Sequence, residues 1–273
     1  VPFYLSISSL PTFADCQGRW AINNVREIKS KYRAKSTQKN VGSVFGTIAH
    51  KALSNMLELK RDYGIIQDWR IEYALAAEEF SKQVSAGVRF DATTGKLEAG
   101  LLQLERVLRE SWFSIVQHAR PEFIEMPVGF AVAGDEWLNV VGHPDGCMIG
   151  GGIKDWKFSS KKDGNYMAQG GGYLLGYRST HGKEPKDFEL NLIQRVGETL
   201  LQPDLLCIPY DKTACIEIAT KQIKLAAGAL KQYDSERTEH KKNWSFNFNG
   251  NSKYCNKKSC GAHGTEFCNQ WIA

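Results

Sequence analysis

Apolar residues recur at three- and four-residue intervals through the first part of the chain and alternate more tightly through much of the rest. From Gly46 to Arg61, Ala49, Leu53, Met56 and Leu57 fall on one helical stripe, and His50 stands one step round from it. Arg70 to Val84 and Leu97 to Val116 repeat the amphipathic pattern. The opening Ser6-Ile7-Ser8-Ser9-Leu10-Pro11-Thr12-Phe13 carries the start signals of a helix, serines for caps and proline for the first turn, and Ala14 to Glu27 continues it. Phe123 to Val132 reads as a strand. Leu138, Val140 and Val141 before the triplet Gly150-Gly151-Gly152, and Ile153 and Trp156 after it, predict a hairpin over Leu138 to Phe158. Tyr166 to Tyr177 reads as a helix despite the triplet Gly170-Gly171-Gly172. Phe188 to Val196 alternates like a strand, Leu205 to Ile218 holds one or two more, and Thr220 to Glu239 closes with a helix.

That order predicts an α/β fold in one domain spanning residues 1–273: a mostly helical part over 1–120, an α/β core over 121–240 and a cysteine-bearing tail over 241–273. The 273 residues are enough for a substantial core. Composition, with 42% hydrophobic and 24% charged residues, is that of a globular protein. No apolar run approaches the roughly 18 residues of a membrane helix, and the N-terminus lacks a signal-peptide pattern. A soluble, intracellular, cytoplasmic protein is expected. Seven cysteines, an odd number, suit a reducing compartment or a metal site better than a disulfide framework.

The chemistry concentrates in Gly142-His143-Pro144-Asp145 and Asp155-Trp156-Lys157. A hairpin places Asp145 across from Asp155, and alternation puts Asp155 and Lys157 on one face while Trp156 turns away. Two carboxylates can hold a hard cation such as Mg²⁺, which polarises a phosphodiester and acidifies a bound water. Lys157 would position that water or offset charge on the phosphate. An isolated D-x-K is more often an exposed strand pair. Here it has company: Gln169 and Tyr173, four apart, share a helix face, and His50 lies upstream in Gly46-Thr47-Ile48-Ala49-His50-Lys51. Neither G-x-x-x-x-G-K-[ST], H-E-x-x-H nor G-x-S-x-G occurs, so the chain lacks the usual cues for an ATPase, a zinc protease or a serine hydrolase.

With an N-terminal histidine, G-x-x-D, D-x-K and Q-x-x-x-Y in that order, the chain resembles RecB-type nucleases of the PD-(D/E)XK superfamily. The resemblance implies a restriction-endonuclease-like fold, a mixed central sheet flanked by helices. It also implies a DNA nuclease, an exonuclease or flap-type enzyme, using Mg²⁺ or Mn²⁺. By that resemblance His50, Asp145, Asp155 and the Trp156 carbonyl bind metal, Lys157 serves the attacking water, and Gln169 and Tyr173 support the site. Glu125 matches an acid that similar nucleases carry on a neighbouring strand; Glu122 competes for that place. His143 is expected to point away as a turn residue. The alternative is a non-catalytic nucleic-acid-binding or scaffold protein that kept the fold.

Cys16 near one end and Cys255, Cys260 and Cys268 near the other resemble the four cysteines with which AddB and a CRISPR-associated relative hold a four-iron four-sulfur cluster. The spacing of the last three is longer than in those relatives, and His263 would favour zinc in place of the cluster. Iron-sulfur, zinc and reduced thiols all stay open. Cys147, Cys207 and Cys215 are expected in the core. Basic segments at Arg19 to Lys39 and at Lys241, Lys242, Lys253, Lys257 and Lys258 suit phosphate contact. Trp20, Tyr32, Trp244, Phe246, Phe248 and Tyr254 nearby suit either base stacking or the core. Single-stranded DNA or free ends are the expected substrate, and a helicase or recombination partner is left open.

Overall fold

The computed structural model describes residues 2–32, 39–159, 165–195, 205–238, 246–252, 255, 260 and 263–269. Its centre is a five-stranded mixed sheet in the order β2-β5-β6-β7-β8, built from β2 (Pro121–Ile124), β5 (Gly146–Met148), β6 (Gly152–Ser159), β7 (Asp187–Gln194) and β8 (Leu205–Tyr210). β6 and β7 run parallel, and the other neighbouring pairs are antiparallel. A smaller sheet in the order β1-β4-β3 joins β1 (Phe3–Ser6), β4 (Asp135–Gly142) and β3 (Val128–Val132).

Helices cover both faces of the main sheet. The longest on one side, α4 (Val41–Tyr63), starts where the Asn40 side chain accepts the Gly42 N–H at 2.8 Å and stops at Gly64 in the left-handed region, the usual pair of end signals. Its buried stripe of Val44, Phe45, Ile48, Ala52, Met56 and Leu57 packs with α5 (Trp69–Ser85), α6 (Leu97–Ser111) and the sheet residues Trp156, Phe158 and Ile193. Lys60 donates to the Val116 and Gln117 carbonyls at 2.6 and 2.9 Å, tying α4 to the π-helical turn Trp112–Val116 that follows α6. On the other side α7 (Met167–His181) and α8 (Lys212–Thr238) pack with Ile153, Phe188, Cys147 and the N-terminal helices α1 (Leu10–Asp15), α2 (Gln17–Asn24) and α3 (Arg26–Tyr32). A Cβ at Gly171 would lie 1.9 Å from the Cys215 carbonyl oxygen, so α7 and α8 touch backbone to backbone there.

Several boundaries differ from the sequence expectation. The strand read over Phe123 to Val132 is two strands in different sheets, parted at Glu125, whose φ of 50° turns the chain. The hairpin is β5–β6 alone; Leu138 to Val141 belong to the smaller sheet, because the chain crosses between sheets through Gly142 to Asp145. Gly150 and Gly151, at φ of 94° and 84°, make the turn that a side chain would strain. β1 was not expected, and the N-terminal helix breaks at Cys16 and Val25, both extended. The stretch from Leu205 to Ile218 holds a single strand; α8 starts at Lys212, with Asp211 accepting the Ala214 N–H at 2.7 Å. The tail owes order to apolar burial as well as polar contacts, since Phe246 and Phe267 are fully buried beside Trp20 and Tyr32, and α9 (Glu266–Asn269) is a single turn. No helix among the described residues is long and apolar enough to cross a membrane.

Candidate active site

The register that pairs Gly146 with Lys154 carries on one step to set Asp145 opposite Asp155. Asp145 Oδ2 accepts the Trp156 N–H at 2.5 Å, beside the Asp155 carboxyl. Alternation along β6 sends Trp156 into the core under α4 and leaves Asp155 and Lys157 together, with Lys157 Nζ 2.6 Å from Asp155 Oδ2. From α7, Gln169 Nε2 lies 3.0 Å from both Asp155 Oδ1 and the Tyr173 hydroxyl; all three residues are buried. From α4, His50 brings Nδ1 to 3.6 Å from Asp145 Oδ1, and its ring lies edge-on to Phe158 within hydrogen-bond reach of the Trp156 carbonyl. Glu125, at the bend between the two sheets, shares the cavity wall with Ser54 of α4, which favours its charged form, while its N–H is fixed 3.2 Å from the Asp145 carbonyl.

These groups line a cavity of about 580 Å³ that opens to solvent. Donor atoms of His50, Glu125 and Asp145 lie within 4.8 Å of one another. Asp155 stands just behind that trio, one oxygen turned to Gln169 and the other to Lys157. Its Oδ2, close to the ammonium, still lacks a hydrogen bond of good geometry, so a buried lone pair is left over.

Burial and crowding shift the titration of His50, Glu125, Asp145, Asp155 and Lys157. Burial raises Asp145 to about 7 and, with the adjoining Asp145 charge, Asp155 to about 6. Burial also raises Glu125. His50 falls to about 4, through burial first and the neighbouring Lys157 second, so its imidazole is neutral and able to ligate at physiological pH. Burial alone would lower Lys157, but Asp155 and Asp145 outweigh it and the amine stays protonated. Three carboxyls thus face one ammonium and a neutral imidazole in the depth of the cavity, with Lys51 exposed at its rim. The site is short of positive charge, and its oxygen-rich donor set with one nitrogen fits a hard divalent cation.

His50, Glu125, Asp145, Asp155, Trp156, Lys157, Gln169 and Tyr173 are therefore brought together. Glu122 is not; its charge acts on Cys147 and Tyr177 instead. His143, expected to turn away, is exposed at the cavity mouth with Ser6, Ser8, Thr47 and Lys51. Ser6, Ser8, Thr47, Lys51 and Ser54 were missed, and His143 was discounted. For Thr47, Lys51 and Ser54 a signal existed: Thr47 and Ser54 lie three and four residues from His50, and Lys51 lies four from Thr47 and three from Ser54, so all line one side of α4.

The aromatics proposed for stacking have other duties. Trp20 and Phe246 are fully buried, and Tyr32 and Phe248 pack on Phe267. Trp244 and Tyr254 lie outside the described residues, as do Arg33, Lys35, Lys241, Lys242, Lys253, Lys257 and Lys258. Cys147 and Cys215 are buried as expected, but Cys207 is exposed on the edge strand β8. Cys16 caps α2, its sulfur 3.4 Å from the Arg19 N–H. Cys268 receives an N–H from Gly264 and feels the charges of Cys255 and Cys16, while Cys260 packs on the same core.

A mixed sheet that carries paired acids and a lysine, clasped by a histidine-bearing helix, thus gathers the candidate residues into one cavity. The family model described as the PD-(D/E)XK nuclease superfamily matches residues 4–264, and the chain belongs to that superfamily: it is a nuclease by family. Among solved structures it is similar to a "putative exonuclease" from Eubacterium rectale, with a TM-score of 0.54 at 12% identity over 92% of this chain and 86% of that one. It also matches an alkaline exonuclease from Laribacter hongkongensis, with a TM-score of 0.30 at 12% identity over 70% of this chain and 92% of that one. Comparison with curated protein sequences returns no match.

Proposed function

We propose that the chain is a metal-dependent deoxyribonuclease that degrades DNA from ends or at flaps, with single-stranded DNA as the preferred substrate. The observation that carries the metal dependence is the charge imbalance: three carboxyls around one cavity, against the ammonium of Lys157 in its depth, that of Lys51 exposed at the rim, and a histidine held neutral. His50, Asp145 and the Trp156 carbonyl would hold the ion with Asp155, and Glu125 stands close enough to share it. An ion such as Mg²⁺ or Mn²⁺ bound there supplies Lewis acidity to a phosphodiester and lowers the pKa of a coordinated water. Lys157, protonated and anchored by Asp155, is suited to orient the attacking water and to offset charge on the phosphate, and unsuited to act as a base. Gln169 fixes Asp155, and Tyr173 fixes Gln169. A purely binding or scaffold protein gains nothing from crowding acids that repel both one another and a phosphate, which favours the enzyme. The preference for ends and single strands comes from similar nucleases.

Incubation of end-labelled single- and double-stranded DNA with Mg²⁺, Mn²⁺ or EDTA tests this reading. Metal-dependent shortening is expected, with Lys157→Ala slower by about 10²–10³-fold, the usual loss when one transition-state donor is removed, and Asp155→Ala inactive. Undiminished cleavage by Asp155→Ala would place the chemistry elsewhere.

Cys16, Cys255, Cys260 and Cys268 would hold a four-iron four-sulfur cluster, with zinc as the alternative occupant. The Cys16 sulfur accepts the Arg19 N–H, and the Cys268 thiol, raised mainly by burial, also feels the charges of Cys255 and Cys16, which supports a shared site.

A further inference from the structure

Glu125 is the only non-glycine residue among those described with a positive φ, 50°. Strain of this kind persists where surrounding contacts over-determine it, and it concentrates at sites where one side chain must point one way. Here the bend has a clear effect. β2 ends at Ile124 in the main sheet and β3 begins at Val128 in the smaller one, so the peptide between them turns Glu125 toward the cavity. The Glu125 N–H bonded to the Asp145 carbonyl locks the backbone to the strand that bears the first aspartate. Nothing in the backbone fixes the side chain, however. Glu125 is exposed at the rim, and its three side-chain torsions leave the carboxylate free to swing into solvent.

Ser54 supplies the missing restraint. It sits one turn beyond His50 on α4, is 8% exposed, lines the same cavity as Glu125, and favours the charged form of that carboxyl. Residues four apart on a helix present the same face, so α4 delivers a metal-ligating imidazole and, beside it, a hydroxyl on the wall that the neighbouring acid shares. We propose that Ser54 is a positioning residue: its hydroxyl holds Glu125 in the geometry that lets this carboxylate join His50 and Asp145 around a divalent cation. Helix α4 then couples the two ligands mechanically, and any shift of His50 carries the Glu125 clamp with it. The inference rests on the metal-dependent reading above.

The test is Mn²⁺ titration of metal-stripped protein, followed by the loss of the free-ion electron-spin resonance signal, on the full chain. Ser54→Ala is expected to weaken Mn²⁺ binding by about tenfold or more, the usual effect of removing a group that orients a ligand. Ser54→Thr, which keeps the hydroxyl, should restore most of it. In a Glu125→Gln background, Ser54→Ala should change the affinity little, since the restrained carboxylate is already gone. Circular dichroism and melting in EDTA report whether each variant is folded. Folded Ser54→Ala with wild-type affinity would overturn the proposal, as would an equal loss in the Glu125→Gln background. Wild-type protein that binds no Mn²⁺ would instead overturn the metal-dependent reading itself.

Discussion

Asp145, Asp155, Glu125 and His50 are held away from their ordinary titration, and the directions have a consequence for stability. Asp145 and Asp155 rise from 3.8 to about 7 and about 6, chiefly through burial. Between the ordinary value and those raised ones, the folded chain binds more protons than the unfolded chain, so their contribution falls as pH rises through that window. His50 acts oppositely: lowered from 6.5 to about 4, it leaves the unfolded chain holding the extra proton, and stability rises with pH there. Two acids, joined by the raised Glu125, outweigh one imidazole. In EDTA the wild-type melting temperature should therefore drop between pH 5 and pH 7 more than that of Asp145→Asn. Saturating Mn²⁺ should raise it more at pH 8 than at pH 5, because the ion binds the ionised carboxylates. Equal Mn²⁺ shifts at both values would contradict the account. Most of these residues were legible in the sequence because D-x-K, Q-x-x-x-Y and the upstream histidine occur in order. Glu125 could not be separated from Glu122, since the choice depends on a left-handed backbone turn that no residue pattern announces.

At the level of elements, α4, α5 and α6 could be read because their buried stripes repeat at the helical period. The division of β3 and β4 from β2 and β5 could not, because period-two alternation identifies a strand without saying which sheet it joins. β1, four residues long, offers too little pattern to count. Helix α7 is the instructive case. Its glycines at 170, 171 and 172 argue locally against a helix, yet they permit the close approach that seats α7 against Phe188, Cys215 and Ile7. Tertiary packing overrides propensity, and the same packing places Gln169 and Tyr173 beside Asp155. Gly171→Ala should raise local helix propensity but force its methyl into the Cys215 carbonyl. A net destabilisation of about 1–3 kcal/mol is expected, typical of overpacking, measurable as a lower urea midpoint with an unchanged slope. A midpoint at or above wild type would mean that α7 and α8 have room between them.

Over the whole molecule, the two ends of the chain meet. Gly18 donates to the Asn247 carbonyl at 3.1 Å, Asn247 to Gln17 Oε1 at 3.1 Å, Asn249 to the Asp15 carbonyl at 3.0 Å and Ser252 to Asp15 Oδ2 at 2.6 Å. The Phe248 ring lies over Gly18, where even a Cβ would come within 2.1 Å of it. This seam surrounds Cys16 and leads to Cys255, Cys260 and Cys268, so a metal group bound by all four would cross-link the first helices to the tail after the entire catalytic core has intervened. Closing so long a loop removes conformational freedom mainly from the unfolded chain, and covalent cross-links of this kind contribute about 2–4 kcal/mol. At roughly 2–4 °C per kcal/mol for a chain of this size, Cys260→Ala should melt about 4–16 °C below wild type, and it should lose the visible iron-sulfur absorbance and the bound iron. Cys207→Ala, on the edge strand and away from the seam, serves as the control and should keep both. One zinc per chain without visible absorbance would assign the thiols to zinc. If Cys260→Ala matches wild type in metal content and melting, the seam is held by its hydrogen bonds and aromatic packing alone.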